Sequence, residues 1–210
     1  MGHLLRLRIS LADRAGALAQ ATTVIGLHGG NIRSIDVHDT NGDHAVDDLV
    51  VDFSGTPDVS DLKDDLAANA ATTLVSHEES SAAEPVLASI RRMAILLQAR
   101  SGDGAEALAD AIADLCPSST AWVTGTEEAV QQDAGRAALE RNSPVVLRTT
   151  SLPGHVAARF PGEVYLLAVP GRERIAFVAR PVTIEFTVTE IARIEALMDL
   201  DYQIERLVGG

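Results

Sequence analysis

The sequence predicts an α+β protein of two domains, and three observations lead there. Residues 1–78 alternate strand and helix patterns in the order β-α-β-β-α-β. Residues 86–210 carry strand patterns bracketed by helical ones. Between them, Glu78-Glu79-Ser80-Ser81-Ala82-Ala83-Glu84-Pro85 is small, polar and without periodicity, which marks a linker over 79–85. A chain of 210 residues suits this division, since domains average roughly 150 residues and often run smaller.

In the first domain, Leu5, Leu7 and Ile9 share one strand face, with Arg6, Arg8 and Ser10 on the other. Asp13 and Gly16 bracket a tight turn. Ala17–Leu27 follows as a helix with Leu18, Ala21 and Ile25 on one side, and Gly29-Gly30 ends it where positive φ is needed. Asn31–Asp39 and Ala45–Phe53 read as strands joined through Thr40-Asn41-Gly42-Asp43, whose Asn-Gly is a strong hairpin signal. Asp58–Ala68 is a second helix behind Pro57, and Thr72–His77 a fourth strand. The order is that of the ferredoxin-like fold.

The second domain opens with helices Val86–Gln98 and Ala105–Cys116, followed by strand Thr120–Thr124 and helix Ala134–Arg141. Strands Val145–Thr150, Glu163–Val169 and Arg174–Ala179 lead to a helix from Thr189 to Leu200 or beyond. Ile191, Ile194, Leu197 and Met198 recur there at helical spacing and predict a buried face. A central antiparallel sheet flanked by helices is expected, with the terminal helices together on one side.

Thirty acidic against 17 basic residues give a net charge of −13, which opposes binding to phosphate backbones. The positive residues sit singly or in pairs such as Arg91-Arg92, so no basic patch counters that field, and nucleic acid is excluded as a partner. Apolar runs such as Ala94–Leu97 and Val164–Val169 fall well short of the roughly 20 residues of a membrane span. Met1–Arg6 lacks a basic stretch followed by an apolar one, so no secretion signal is expected. The single cysteine, Cys116, cannot form an internal disulfide, and a reducing, cytoplasmic location follows as the expectation.

Asp13-Arg14-Ala15-Gly16-Ala17-Leu18 is the most informative segment. A glycine at a strand-to-helix turn lets the backbone approach a ligand, and the N–H groups opening the helix can hold a carboxylate. Farther along, Gly29-Gly30-Asn31-Ile32 leads into the next strand, and Asn31 offers both an amide donor and a carbonyl acceptor. An amino-acid zwitterion needs both functions. Glycines also serve turns for their own sake, so spacing alone leaves a plain turn and a binding site both open.

With these two motifs in these two elements, residues 3–77 resemble an ACT domain, a small regulatory module with a D-R-x-G-x-L turn and a G-G-N-I step. The resemblance implies side-by-side dimers that bind an amino acid or another small effector between two copies. It implies ligand contacts from Asp13, Gly16, Ala17 and Leu18 of the turn, and from Asn31 and Ile32 of the strand. Ala15 departs from the family, which often has proline there; the turn is looser, but its N–H groups remain.

Asp39-Thr40-Asn41-Gly42-Asp43 starts like a calcium loop, then fails with His44 at position six and Val50 at position twelve. Asp36, His38, Asp39, His44, Asp47 and Asp48 also admit a transition-metal site, but a solvated strand face and turn account for them, so no metal is expected. Asp47-Asp48 breaks the alternation of its strand, and a β-bulge there would explain both. Cys116 lacks a basic neighbour that would activate its thiol. His155 lies on a loop with no partner at a recognised spacing, and Gly102-Asp103-Gly104 is a helix–helix turn. No catalytic set and no cofactor site emerge.

Residues 86–205 resemble a GAF-like domain. The carriers are Ala121-Trp122-Val123, the step Ala137-Ala138-Leu139 to Asn142-Ser143-Pro144-Val145, the hairpin Leu166–Pro170 with Ile175–Arg180, and Phe186-Thr187-Val188-Thr189-Glu190 opening the last helix. The cyclic-nucleotide signature N-K-x-x-F is absent, and the stretch between Thr150 and Val164 is short for a pocket lid. A sensor or dimerising module is implied.

The expected function is that of a non-enzymatic cytoplasmic regulator, a homodimer that binds an amino acid or similar metabolite. The alternative is a regulatory subunit or scaffold of a biosynthetic enzyme, whose ACT domain only pairs proteins. A metal-dependent enzyme using the Asp/His hairpin of residues 36–48 is the remaining option.

Overall fold

The computed structural model describes residues 3–38, 44–80, 104–116 and 118–208. The expected hairpin turn at 40–43, most of the linker, helix Val86–Gln98, Gly102-Asp103 and Pro117 lie outside the described residues. The chain divides into two compact units, Met1–Ser89 and Ile90–Gly210.

The first unit comprises β1 (His3–Ala12), α1 (Ala17–Leu27), β2 (Gly30–His38), β3 (His44–Phe53), α2 (Val59–Ala70) and β4 (Thr73–Glu79). Its antiparallel sheet has the order β2-β3-β1-β4, the ferredoxin-like order. Alternation puts Leu5, Leu7, Ile9 and Leu11 of β1, with Leu49, Val51 and Phe53 of β3, on the helix side. There they pack against Ala17, Ala21, Val24 and Ile25 of α1 and Leu62 and Leu66 of α2. Asp58 caps α2 by accepting hydrogen bonds from the Ser60 and Asp61 backbone N–H groups, at 3.0 and 3.2 Å. β4 runs into the polar stretch because Glu78 and Glu79 pair with Arg6 and Leu5 of β1.

The bulge expected at Asp47-Asp48 is absent. β3 pairs with β1 in continuous register from His44 to Phe53, and the irregularities fall between Ile32 and Ser34 of β2 and opposite Arg8–Ile9 in the pairing with β4. Both carboxylates are instead buried, one on each face of the sheet.

The second unit comprises α3 (Gly104–Leu115), β5 (Thr120–Gly125), α4 (Thr126–Ala129), α5 (Asp133–Arg141), β6 (Val145–Thr149), α6 (Gly154–Ala157), β7 (Val164–Pro170), β8 (Arg174–Pro181) and α7 (Val188–Val208). Its antiparallel sheet has the order β5-β8-β7-β6. Leu167, Val169, Ala176 and Val178 face α3 and α7, meeting Leu108, Ile112, Ile194, Leu197 and Met198. Leu166, Ala168, Phe177 and Ala179 face the opposite layer, with Ala134 and Ala138 of α5. Covering on both sides explains why β7 and β8 read as continuous apolar runs. The single-turn helices α4 and α6 carry too few residues for a helical period, and His155, expected on a loop, falls within α6.

The start of α7 is tied to β8. Thr187 and Glu190 form a capping box: the Glu190 N–H donates to Thr187 Oγ1 at 3.1 Å, and the Thr187 N–H donates to Glu190 Oε2 at 2.9 Å. Arg180, fully buried, donates from Nη1 and Nη2 to the same carboxylate at 3.1 and 2.7 Å, and lies 3.7 Å from the centre of the Phe186 ring.

Candidate functional site

Beyond Ala12, the segment Asp13–Gly16 is an exposed turn held by the Arg14 N–H on the Ala12 carbonyl (2.8 Å) and the Ala17 N–H on the Arg14 carbonyl (3.2 Å). Gly16 occupies the N-cap of α1 with φ 88°, a conformation that favours glycine. No side chain caps α1, and its first turn holds no acidic residue. A Cβ added at Gly16 would meet nothing within 4 Å, so the space beside Gly16 itself is open. Uncapped N–H groups at the positive end of a helix dipole suit an anion such as a carboxylate. Of the turn residues, Asp13 is exposed, Ala17 is buried and Leu18 packs half-buried against the core.

At the other end of α1, Gly29 takes φ 77° and closes the helix, with its N–H on the Gly26 carbonyl at 3.0 Å. Gly30 has a steric reason: a Cβ there would lie 2.6 Å from Ile25 Cγ2 and 2.8 Å from Val51 Cγ1. Asn31 is exposed, opposite Asp52, and Ile32 packs on the core opposite Val51. Arg33 leaves the ladder at the bulge and reaches Asp52 at 2.5 Å.

Within one chain these two halves stay apart. Asp52, which faces Asn31, pairs on its other side with Leu4 near the start of β1, whereas the turn follows the end of β1. Eight residues of strand separate the two levels, roughly 26 Å at 3.3 Å per residue. β2 is one of the two edge strands of the sheet, with β4 the other, and its Ile35 and Val37 are 40% and 59% exposed.

The acidic strand is not a solvated face. On the side away from the helices, Arg8 is 1% exposed and grips Asp48, Nε on Oδ1 and Nη2 on Oδ2, both at 2.8 Å. His38 Nε2 lies 3.0 Å from the same Oδ2, and Asp36 sits 3.9 Å from His38. Burial works against ionisation of Asp48, but the hydrogen bonds from Arg8 and then His38 outweigh it and hold this carboxyl well below the usual range. Asp47 points to the helix side, beside Ile9 of β1 and Val37 of β2. Burial pushes its carboxyl up, and the neighbouring Asp48 and Asp36 add to that rise against His38. In the sequence Asp47 stands out as a break in alternation and as a member of the Asp/His set weighed for a metal, and the break in alternation is the signal of its burial. Among the described residues, no three His, Cys, Asp or Glu side chains gather as a metal site. Nor, among them, is any helix long and apolar enough to cross a membrane. Cys116 is fully buried in the core formed with α3 and α7.

Residues 5–71 match the family model of the ACT domain. Comparison with curated proteins finds no match. Among solved structures, the chain is similar to the ACT domain from GTP pyrophosphokinase of Chlorobium tepidum, at 24% identity over 38% of this chain and 100% of that one, TM-score 0.30. It is also similar to the regulatory subunit of aspartate kinase from Thermus thermophilus, at 8% identity over 97% of each chain, TM-score 0.31. Formyltetrahydrofolate deformylase from Burkholderia mallei shares 10% identity over 97% of this chain and 90% of that one, TM-score 0.33.

Proposed function

We propose that residues 5–71, an ACT domain by family match and by strand order, bind an amino acid or a similar small metabolite between two copies of the chain. The chain acts as a cytoplasmic regulator and not as an enzyme. The observation that carries this reading is the uncapped N-terminus of α1, with Gly16 at φ 88° and open space beside it. A carboxylate there gains N–H donors and the helix dipole, local help against a net charge of −13.

The edge of β2 supports the two-copy arrangement. Antiparallel pairing of two β2 strands would set Asn31 of one copy beside the end of β2 in the other, where that copy's turn lies. The exposed Ile35 and Val37 would then be covered. The site would take Asp13, Gly16, Ala17 and Leu18 from one copy and Asn31 and Ile32 from the other.

The second unit serves as a GAF-like module for sensing or for holding the dimer, a role supported by its helix-flanked antiparallel sheet and by the Phe186-Thr187 opening of α7. A biosynthetic enzyme is a natural partner for such a regulator.

Isothermal titration of the full chain against the twenty amino acids, with light scattering for mass, tests the proposal. At least one amino acid binds, and the mass is that of a dimer. Gly16→Asn keeps the fold, because asparagine tolerates this backbone, but its side chain fills the space beside Gly16 and abolishes binding. Retained affinity in that variant removes the site. A dimer that binds none of the twenty is a module for pairing alone.

A further inference from the structure

The two faces of β2 differ in kind. Its register with β3 sets Ile32, Ile35 and Val37 opposite Val51, Leu49 and Asp47, on the helix side. Asp36 lies opposite Asp48 on the side away from the helices, and Arg33, the extra residue of the bulge, reaches Asp52 on that same side. Arg33 has Asp52 and Asp36 has His38 within its own chain, yet both side chains keep exposed surface for a second contact. One cation and one anion therefore share one face of an edge strand, and Ile35 and Val37 stand exposed on the other.

Two copies of such a strand, paired antiparallel about a two-fold axis, have few registers open to them. Residues directly opposite must share a face, and the bulge lets Arg33 drop out of the new ladder as it does from the ladder with β3. A two-fold at Ser34 brings the two Arg33 side chains together. One at Asp36 sets two carboxylates opposite each other, and like charges so placed are destabilising. Axes farther toward either end leave Val37 or Ile35 with no opposite residue in the strand. A two-fold at Ile35 avoids all of this. It sets Ile35 on Ile35, Ile32 on Val37 and, on the other face, Arg33 beside Asp36 of the other copy, with each unlike contact made twice.

We propose that this chain pairs with its own copy through β2 in the single register that sets Ile35 on Ile35, and that Arg33 and Asp36 choose it. The inference rests on the two-copy reading above and adds to it the register and the charges that fix it. Those charges also select the partner: a foreign strand without the matching anion and cation leaves Arg33 and Asp36 facing nothing of opposite sign.

The experiment is oxidative cross-linking of the full chain carrying one new cysteine, as Ser34→Cys, Ile35→Cys or Asp36→Cys. Wild type is the control, since its own Cys116 is fully buried. At the two-fold, Cα atoms stand about 4.5–5.5 Å apart, within disulfide reach. One step to either side, the two copies of a residue are staggered by two positions and lie about 8 Å apart, beyond that reach. Ile35→Cys therefore links at least about tenfold faster than the other two. In the Ile35→Cys chain, Arg33→Glu slows linking about tenfold, and Asp36→Lys added to it restores the rate. If Arg33→Glu does not fold, Arg33→Gln replaces it and slows linking about threefold. Fastest linking at residue 34 or 36 overturns the register and leaves the two-copy reading standing. A dimer by light scattering that links at none of the three positions overturns pairing through β2. A rate unmoved by either change at Arg33 overturns the role of the charges. A monomer overturns both this inference and the reading it rests on.

Discussion

Arg8 and Asp48 face each other across β1 and β3 in a two-pronged ion pair, each nitrogen–oxygen distance 2.8 Å and both side chains buried. His38 Nε2 shares the Asp48 Oδ2 at 3.0 Å, so three strands are joined through one carboxylate. Such a pair contributes little over an apolar substitute but is expensive to break. Asp48→Asn leaves the Arg8 guanidinium enclosed without its counter-charge, and a loss of about 3–5 kcal/mol is expected from cases of this kind. Chemical denaturation of the variant beside wild type measures it.

The adjacent carboxylates of β3 respond to pH in opposite senses. Asp48 titrates below its unfolded value of about 4, so its stabilisation is present above that value and fades as pH falls through the folded one. Asp47 titrates above its unfolded value, so its contribution is most favourable below about pH 4 and is lost as pH rises through the folded value. Asp47→Asn removes the second effect alone. The ligand-free variant is therefore at least as stable as wild type at pH 7, and its advantage shrinks on acidification. Denaturation midpoints from pH 3 to 8 trace both arms, and lower stability of the variant at pH 7 refutes the expectation.

Gly30 and Gly16 fail for different reasons when changed to alanine. At Gly30 the added methyl group meets Ile25 and Val51 at under 3 Å, and overpacking of about 1–3 kcal/mol follows. At Gly16 nothing obstructs the methyl group, and only the left-handed backbone resists, at about 1–2 kcal/mol. Thermal melts of both variants, with Gly16→Asn as the tolerated control, separate sterics from strain.

Trp122, the single tryptophan, stacks on Phe177 with ring centres 5.2 Å apart and reports on the second unit. Its fluorescence follows unfolding of that unit. Thr187→Ala removes one arm of the capping box and costs about 1 kcal/mol. Glu190→Ala strands the enclosed Arg180 and costs about 3–5 kcal/mol. Equal losses in the two variants would mean that the Arg180 contact adds nothing to the cap.

Local pattern in the chain carried most of the fold. The alternation of Leu5, Leu7 and Ile9, the Asp58 cap and the Ile191–Met198 spacing each specify an element from its own neighbours, and each element formed where that pattern lies. Asp47 and Asp48 were opaque for the complementary reason. Their burial depends on β1 and β2, and Arg8 lies 40 residues away in sequence, so nothing local announces the partner. The turn at Gly16 was legible as a turn, whereas its openness depends on what other segments leave empty.

Gly16 and Asn31 stand at opposite ends of one sheet, and this separation has a thermodynamic consequence for the proposed site. A chain that owns the two unlike halves of a pocket completes neither alone, but two chains complete two pockets at once. Stoichiometry is then one effector per chain, and dilution weakens binding by mass action as the partner copy is lost. Effector and partner reinforce each other reciprocally, so the abundance of the protein becomes part of the signal it reads.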